Sequence, residues 1–451
     1  MGESPESYVL ALLWRLACLD DLRERLWPAR TAGLQYALDI GPRGVSLPFS
    51  GYSDGLAALA RDVSQSAAKF VPDEASTARL ADVIRRDLQD KSKPYVAAGF
   101  AATRALTRDG AFADQALVRA LDAIFADGAA GATARVRQFA RDHLWAGGRP
   151  AAARGGDILV EGNLDKKEAR ALAASIATAL PLRLASESSF PTPRGLALPT
   201  TPVVLRIGAE EIGTERNSAA ELLLPVGTGP RAVALASVLS ALLKPLFFDA
   251  LRTKEQLGYV VQLGQRALPG ATRPIALVLL VQGESSPQLL TRRMRKFVTT
   301  EASAAVKSLD ETTLRGIASS LADQKLEGDR RLYDRSGRHW EEIRRTRDAA
   351  IEGAARAPTW NRRYQTAAAL NALTLADVRD LWTDIVAGGS FVVEAWGRDA
   401  PSLVDAPADG ATVARSADEV RAVLKPLDSA TTVAKSADEV RAMLTVGFPP
   451  A

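Results

Sequence analysis

The chain is poor in the side chains that carry most catalytic chemistry. Its 451 residues include one cysteine, two histidines and three methionines, and aromatic residues make up 6%. The single thiol, Cys18, excludes an internal disulfide framework and any CxxC redox or zinc pair, and leaves the compartment open. His143 and His339 stand far apart, whereas a zinc site takes its imidazoles or thiolates from one compact spacing. No P-loop, GxGxxG or G-x-S-x-G elbow occurs. The net charge is only +4, and the pI near 9.2 reflects a small arginine excess without a basic arm, so nucleic acid is not an expected partner. No apolar run approaches the ~20 residues of a membrane span, so none is expected.

The N-terminal run "YVLALLWRLACL" (Tyr8 to Leu19) has the apolar look of a signal sequence ending near a cysteine. Arg15 interrupts it, Glu3 and Glu6 precede it, and no Lys or Arg lies upstream. It reads as an amphipathic helix rather than an export signal. The compartment is therefore left as periplasmic or cytoplasmic.

At 47% hydrophobic and 24% charged the composition is that of a globular protein, and the length suits two domains. Apolar spacing predicts a helix over Ser7 to Trp27, then two strands within Gly33 to Asp54 with Gly41-Pro42 at the turn. Helices follow over Gly55–Phe70, Asp73–Asp90, Tyr95–Leu106, Asp114–Ala126 and Ala132–Trp145. A short buried strand is expected at Asp157 to Asp165, with Asn163 as turn or cap, then a helix over Lys166–Leu180. The loose, Pro- and Ser-rich stretch 186–202 is taken as a linker between a first domain (1–185) and a second (203–400). In the second, strands are expected at Val203–Ile207 and Ala219–Pro225, a long helix over Val233–Leu251, and a hairpin from Gly258–Gln265 and Ile275–Gln282. Helices over Pro287–Ser308, Asp310–Leu326, Arg335–Arg347 and Leu375–Val386 precede a strand at Ser390–Gly397. The fold class expected is α+β: two similar layered domains with mainly antiparallel sheets flanked by helices.

The tail, 401–451, holds a repeat. "TVARSADEVRAVL" (Thr412 to Leu424) recurs as "TVAKSADEVRAML" (Thr432 to Leu444). Ser416 with Glu419, and Ser436 with Glu439, fit the S-x-x-E capping box. Two copies are too few for a solenoid, and the plain reading is a duplicated terminal helix.

Chemistry is sparse. "HWEEI" (His339 to Ile343) lacks the second histidine of an inverted zinc motif, so His339 and Glu342 read as an i,i+3 pair on a surface helix. His143 reads as a helix-end histidine near the carbonyl dipoles. "TRRMRK" (Thr291 to Lys296) and "RRTR" (Arg344 to Arg347) read as solvated helix faces. No metal set and no cofactor-binding motif is expected in this chain. What remains is "LRTKEQLGYVV" (Leu251 to Val261), at a junction from helix to strand. Arg252 could cap the helix and Tyr259 pack in a sheet. Alternatively, the junction aims both into a cleft, where a phenol donates to a developing oxyanion and a guanidinium holds a carbonyl or supports the phenol. Such a pair supplies neither nucleophile nor base.

"FFDALRTKEQLGYVVQLGQR" (Phe247 to Arg266) resembles the signature of the C-terminal half of the insulinase/pitrilysin family of zinc metallopeptidases. Further likenesses are "AGLQYALD" (Ala32 to Asp39), "GYSDGLAALARDV" (Gly51 to Val63), "EGNLDKKEARALA" (Glu161 to Ala173) and "HWEEI", which together span about Pro5 to Arg398. The resemblance implies one half of a clamshell that closes around an unfolded peptide. The zinc ligands H-x-x-E-H and the activated water belong to a homologous N-terminal half, which is the expected partner. Carried over by residue, Arg252 and Tyr259 become this half's contribution to the active site. Tyr259 would bond the scissile carbonyl oxygen, and Arg252 would position the substrate backbone or Tyr259. The zinc-binding half and the strand that should open the first domain are missing from this chain, so the resemblance implies either a free-standing noncatalytic subunit or the C-terminal part of a longer or broken reading frame. The string is closer to single-chain proteases than to two-subunit relatives, which favours a fragment or split gene. The alternative is a protease-derived structural or scaffold subunit without a peptidase role.

Overall fold

The computed structural model describes residues 4–41, 44–91, 93–108, 110–144, 156–180, 194–270, 272–351, 360–398 and 411–424. The first half is mostly helical: α1 (Pro5–Arg25), α2 (Trp27–Thr31), α3 (Ser53–Lys69), α4 (Glu74–Gln89), α5 (Pro94–Leu106), α6 (Asp114–Ile124), α7 (Gly128–Phe139) and α8 (Lys166–Ala179). Ser4 starts α1 by accepting the amide of Ser7, with Pro5 in the first turn. Val9, Leu10, Leu13, Trp14, Ala17, Cys18 and Leu22 recur on its inner face and pack against α4, α6 and α7. This is the core the apolar spacing predicts.

The two strands expected within residues 33–54 form one interrupted hairpin. Strand β1 (Gln35–Tyr36) pairs with β4 (Phe49–Ser50), and β2 (Asp39–Gly41) with β3 (Gly44–Ser46), all in the same register. Pro48, which has no amide hydrogen, falls at the gap. Pro42 of the expected turn lies outside the described residues. The strand expected at Asp157 to Asp165 is absent. Among the described residues no strand pairs with this stretch, and Ile158 packs against Ala60, Ile176 and Leu180. Asp165, not Asn163, caps α8, in a box with Glu168.

The second half holds one six-stranded sheet. Its strands are β5 (Val203–Ile207), β6 (Ser218–Gly227), β7 (Val260–Ala267), β8 (Ile275–Gly283), β9 (Phe391–Ala395) and β10 (Thr412–Ala414). The order is β10-β5-β9-β6-β8-β7, parallel across the first two pairs and antiparallel across the rest. One short helix, α9 (Ala209–Ile212), follows β5. Helix α10 (Gly229–Phe248) lies on one face of the sheet with α11 (Pro287–Phe297). α12 (Ser303–Ser308), α13 (Glu311–Leu326), α15 (Arg362–Ala372) and α16 (Leu375–Ala387) pack behind them. The helix expected over Pro287–Ser308 is α11 and α12 joined by a π turn, Val298–Ala302. α14 (Leu332–Ile351) begins three residues earlier than expected, and α15 carried no strong sequence signal.

The opposite face is covered by α5, reaching over from the first half. Ala97, Ala98, Ala101, Ala102 and Ala105 sit against Val203, Leu205, Ala219 and Val393. Small side chains let helix and sheet approach closely, which is why an alanine-rich helix fits here. α17 (Ala417–Val423) packs against α5.

One stretch among the described residues, Gly229–Lys254, is long and apolar enough to cross a membrane, contrary to the reading that no run approaches that length; half of its most apolar window is buried. Ala232, Leu235, Val238, Leu239, Leu243 and Phe247 of α10 enter the core under β7 and β8.

Candidate functional site at the α10–β7 junction

Helix α10 does not end in an ordinary cap. It passes into a π turn, Asp249–Lys254, in which Glu255 donates its amide to the Ala250 carbonyl at 3.0 Å. Leu257 closes the turn by donating to Leu251 at 2.9 Å, after Gln256 takes a left-handed φ of 51°. Leu251 is buried and pins the turn to the core. The chain then crosses β8 so closely that a Cβ on Gly258 would fall within the Gln282 carbonyl, and one on Gly283 within that of Leu257. Glycine is needed at both positions for this crossing.

Tyr259 emerges directly after that crossing and is 82% exposed. It does not pack in the sheet. The Arg252 guanidinium carbon lies 5.4 Å from its ring centroid, within cation–π range. The fold thus brings together the two residues singled out in the sequence, from opposite ends of the turn.

The turn is braced by a residue the sequence reading missed. "TRRMRK" is not a solvated face: Thr291 and Met294 are buried, and only Arg292 and Lys296 are exposed. Arg293 reaches Glu255 with its Nε at 2.8 and 2.7 Å from the two carboxylate oxygens, and its Nη2 reaches Glu301 at 2.6 Å. These bonds, Glu255's foremost, hold the Arg293 pKa above its ordinary value. Burial pushes Glu301 upward, but bonds from Thr300 and Arg293 outweigh it and the carboxyl titrates below its usual range. A shallow cleft of about 280 Å³ adjoins the brace, lined by Glu255, Leu257, Leu289, Arg292, Arg293 and Lys296. A larger cavity of about 430 Å³, between the end of α5 and the β7–β8 turn, does not include Arg252 or Tyr259.

His339 and Glu342 do not pair on a surface helix as expected. Glu342 is buried and bonds Arg362 at 2.9 Å, while His339 pairs with Glu161 and meets Trp360 edge-on at 5.2 Å. α14 is covered on this side by residues near 161 and 360, so both side chains find partners off their own helix. His143 lies in the π turn Ala140–Leu144 that follows α7, stacked on Phe139 at 4.9 Å. The Cys18 thiol is buried and its pKa is pushed up to about 12, mainly by burial, which makes it a packing residue. Among the described residues no three His, Cys, Asp or Glu side chains converge as a metal set.

Two charge pairs link strands of the sheet, the first buried on both sides and the second on its Glu221 side. Arg206 bonds Glu394 at 3.1 Å, Thr291 donates to the same carboxylate at 3.0 Å, and the Arg206 guanidinium lies 5.5 Å from the Trp396 ring centroid. Glu221 on β6 pairs with Arg266 on β7; burial raises its pKa and Arg266 only partly offsets that.

Comparison with known proteins agrees with this architecture. Residues 1–120 match the middle or third domain of peptidase M16, and residues 238–340 match the PQQ synthase PqqF-like C-terminal lobe domain 4. Human insulin-degrading enzyme is 24% identical over 358 residues, 75% of this chain and 33% of that protein. The chain thus spans about a third of the length of the curated relatives it matches. The crystal structure of pitrilysin superposes with a TM-score of 0.76 at 17% identity, covering 95% of this chain and 43% of that one. The inactive domain of a peptidase M16 from Pseudomonas fluorescens gives 0.53 at 15% identity, covering 83% of each chain. The fold is that of an M16-type peptidase half, mixed α and β with a largely antiparallel sheet. Both family models, the insulin-degrading enzyme relatives and the pitrilysin structure support the insulinase/pitrilysin family of metallopeptidases.

Proposed function

We propose that this chain acts as the noncatalytic C-terminal half, or subunit, of a zinc metalloendopeptidase. It binds an unfolded peptide within a closed chamber and lends Arg252 and Tyr259 to the active site of a zinc-bearing homologous half. The observation that carries the reading is the exposed Tyr259 phenol, held at the end of a turn anchored at both ends, with the Arg252 guanidinium beside its ring. An exposed phenol in so constrained a place is poorly explained by packing. The zinc and its activated water would come from the partner half.

Within such a complex the Tyr259 hydroxyl donates a hydrogen bond to the scissile carbonyl oxygen as that oxygen gains negative charge. Arg252 keeps positive charge next to the phenol and is placed to hold the substrate backbone. Preorganisation matters because donors fixed before the reaction need no reorganisation during it, and the Gly258 crossing and the Arg293 brace supply that fixity.

The test is reconstitution. The chain is combined with a zinc-bearing half of an M16 peptidase and peptide cleavage is followed. Tyr259→Phe should lower kcat by roughly 10²–10³, the cost of one oxyanion donor. An unchanged rate returns Tyr259 to a structural role.

A further inference from the structure

The tail repeat has a structural meaning that the peptidase reading does not use. The first copy is docked. Its strand β10 adds to the sheet edge, with Thr412, Val413 and Ala414 opposite Val203, Val204 and Leu205. Ser416 caps α17 by accepting the Glu419 amide at 3.2 Å, and the Glu419 carboxylate accepts from the Arg415 amide at 2.8 Å. Ala414, Val420 and Leu424 are buried in the core shared by α5 and the sheet. Arg421 binds the end of α5: its Nε donates to the Thr107 carbonyl at 3.0 Å, and its Nη2 to those of Arg104 and Ala111 at 2.8 and 3.0 Å. A guanidinium here satisfies carbonyls that a helix C-terminus leaves open.

The second copy, residues 432–444, lies outside the described residues. It differs from the first only at Arg415/Lys435 and Val423/Met443. Both positions face solvent in the docked copy. Every side chain that the groove buries or bonds is repeated: Ala434, Ser436, Glu439, Val440, Arg441 and Leu444 stand for Ala414, Ser416, Glu419, Val420, Arg421 and Leu424.

We propose that the groove formed by the β5 edge and the C-terminal end of α5 is a docking site for either copy, and that residues 432–444 are its second, competing occupant on the same chain. Strand pairing, the buried apolar contacts and the arginine cap all depend on residues the two copies share, so the groove itself does not discriminate. The first copy holds it because its connection to β9 is shorter. The bias is small, since loop-closure entropy grows only with the logarithm of loop length. Loss of the first copy is therefore answered by exchange, with the sheet edge covered again.

Hydrogen exchange on the full-length chain tests this. Val420→Asp places a carboxylate in the buried position of the first copy and should displace it. The amides of 432–444 should then exchange at least about ten-fold more slowly than in the Val420→Asp/Val440→Asp double variant. Arg421→Ala, a milder change, should shift protection the same way, and Arg421→Ala/Arg441→Ala should lose it in both copies. Val440→Asp alone should leave the protection of 412–424 unchanged. Exchange at 432–444 that remains equally fast in Val420→Asp, Arg421→Ala and the double variants would overturn the proposal.

Discussion

Tyr259 and Gly258 are neighbours with opposite requirements. One must present a side chain to the surface, and the other must present none. Gly258→Ala forces a methyl group into the Gln282 carbonyl, so the turn must lift away from β8. The variant should lose stability by about 1–3 kcal/mol, the range for overpacking, and should lose activity in the reconstituted complex along with it. Chemical denaturation at full Leu257-to-Gln282 packing and after substitution reads the difference. Both residues stand in a contiguous string that could be recognised in the sequence; the crossing that makes Gly258 obligatory could not, because it depends on a strand some twenty-five residues on. Glu221 makes a second residue-scale case. Its folded pKa is raised by burial, so its contribution is fully present below the ordinary carboxylate range and is lost as pH rises through the raised value. Glu221→Gln removes that slope. Relative to the native chain, the variant should gain stability as pH rises across this window, and a difference that stays flat with pH would show that Glu221 is not strained by burial.

Among the elements, α10, its π turn and β7 form one continuous device, and α11 braces it. Arg293→Ala frees Glu255 and with it the middle of the turn. If Tyr259 acts as proposed, its misplacement by about 1 Å costs on the order of 10²-fold, so kcat of the reconstituted complex should fall toward that figure with KM less affected. Arg293→Lys, which restores a charge but not the bidentate fork, should recover only part of the loss. Equal kcat in the native and alanine proteins would remove Arg293 from the site. Periodicity predicted most elements because burial on one face dictates apolar spacing, as in α1, α4 and α10. It failed where partners decide. "DILV" has strand composition but pairs with no strand among the described residues, and Arg293 looks like a solvated cation until Glu255 and Glu301 converge on it. The i,i+3 spacing of His339 and Glu342 likewise points to a pair on their own helix, whereas their partners are Glu161 and Arg362.

For the whole molecule, the sequence divides more readily than the structure. The boundary at 186–202, between a first domain at 1–185 and a second at 203–400, remains a proposal, and limited proteolysis should find its earliest cut there if it holds. α5 lies across the sheet and shares a core with it, so the fragments should stay associated after cleavage. The fold class was legible from the alternation of helices and strands, and the family from the string around Tyr259. The proposed assembly was not, because a chain that lends groups to another half would show only those groups. The central claim is that this chain completes another half's active site, and the most direct measurement is cleavage of a quenched-fluorescent peptide by the chain alone, by a zinc-bearing half alone and by the two together, each with native Tyr259 and with Tyr259→Phe. The account predicts no cleavage by this chain alone, activity on mixing, and a fall of roughly 10²–10³ in kcat with Tyr259→Phe. Chelator-sensitive cleavage by this chain alone, or a mixed activity indifferent to Tyr259→Phe, would contradict it.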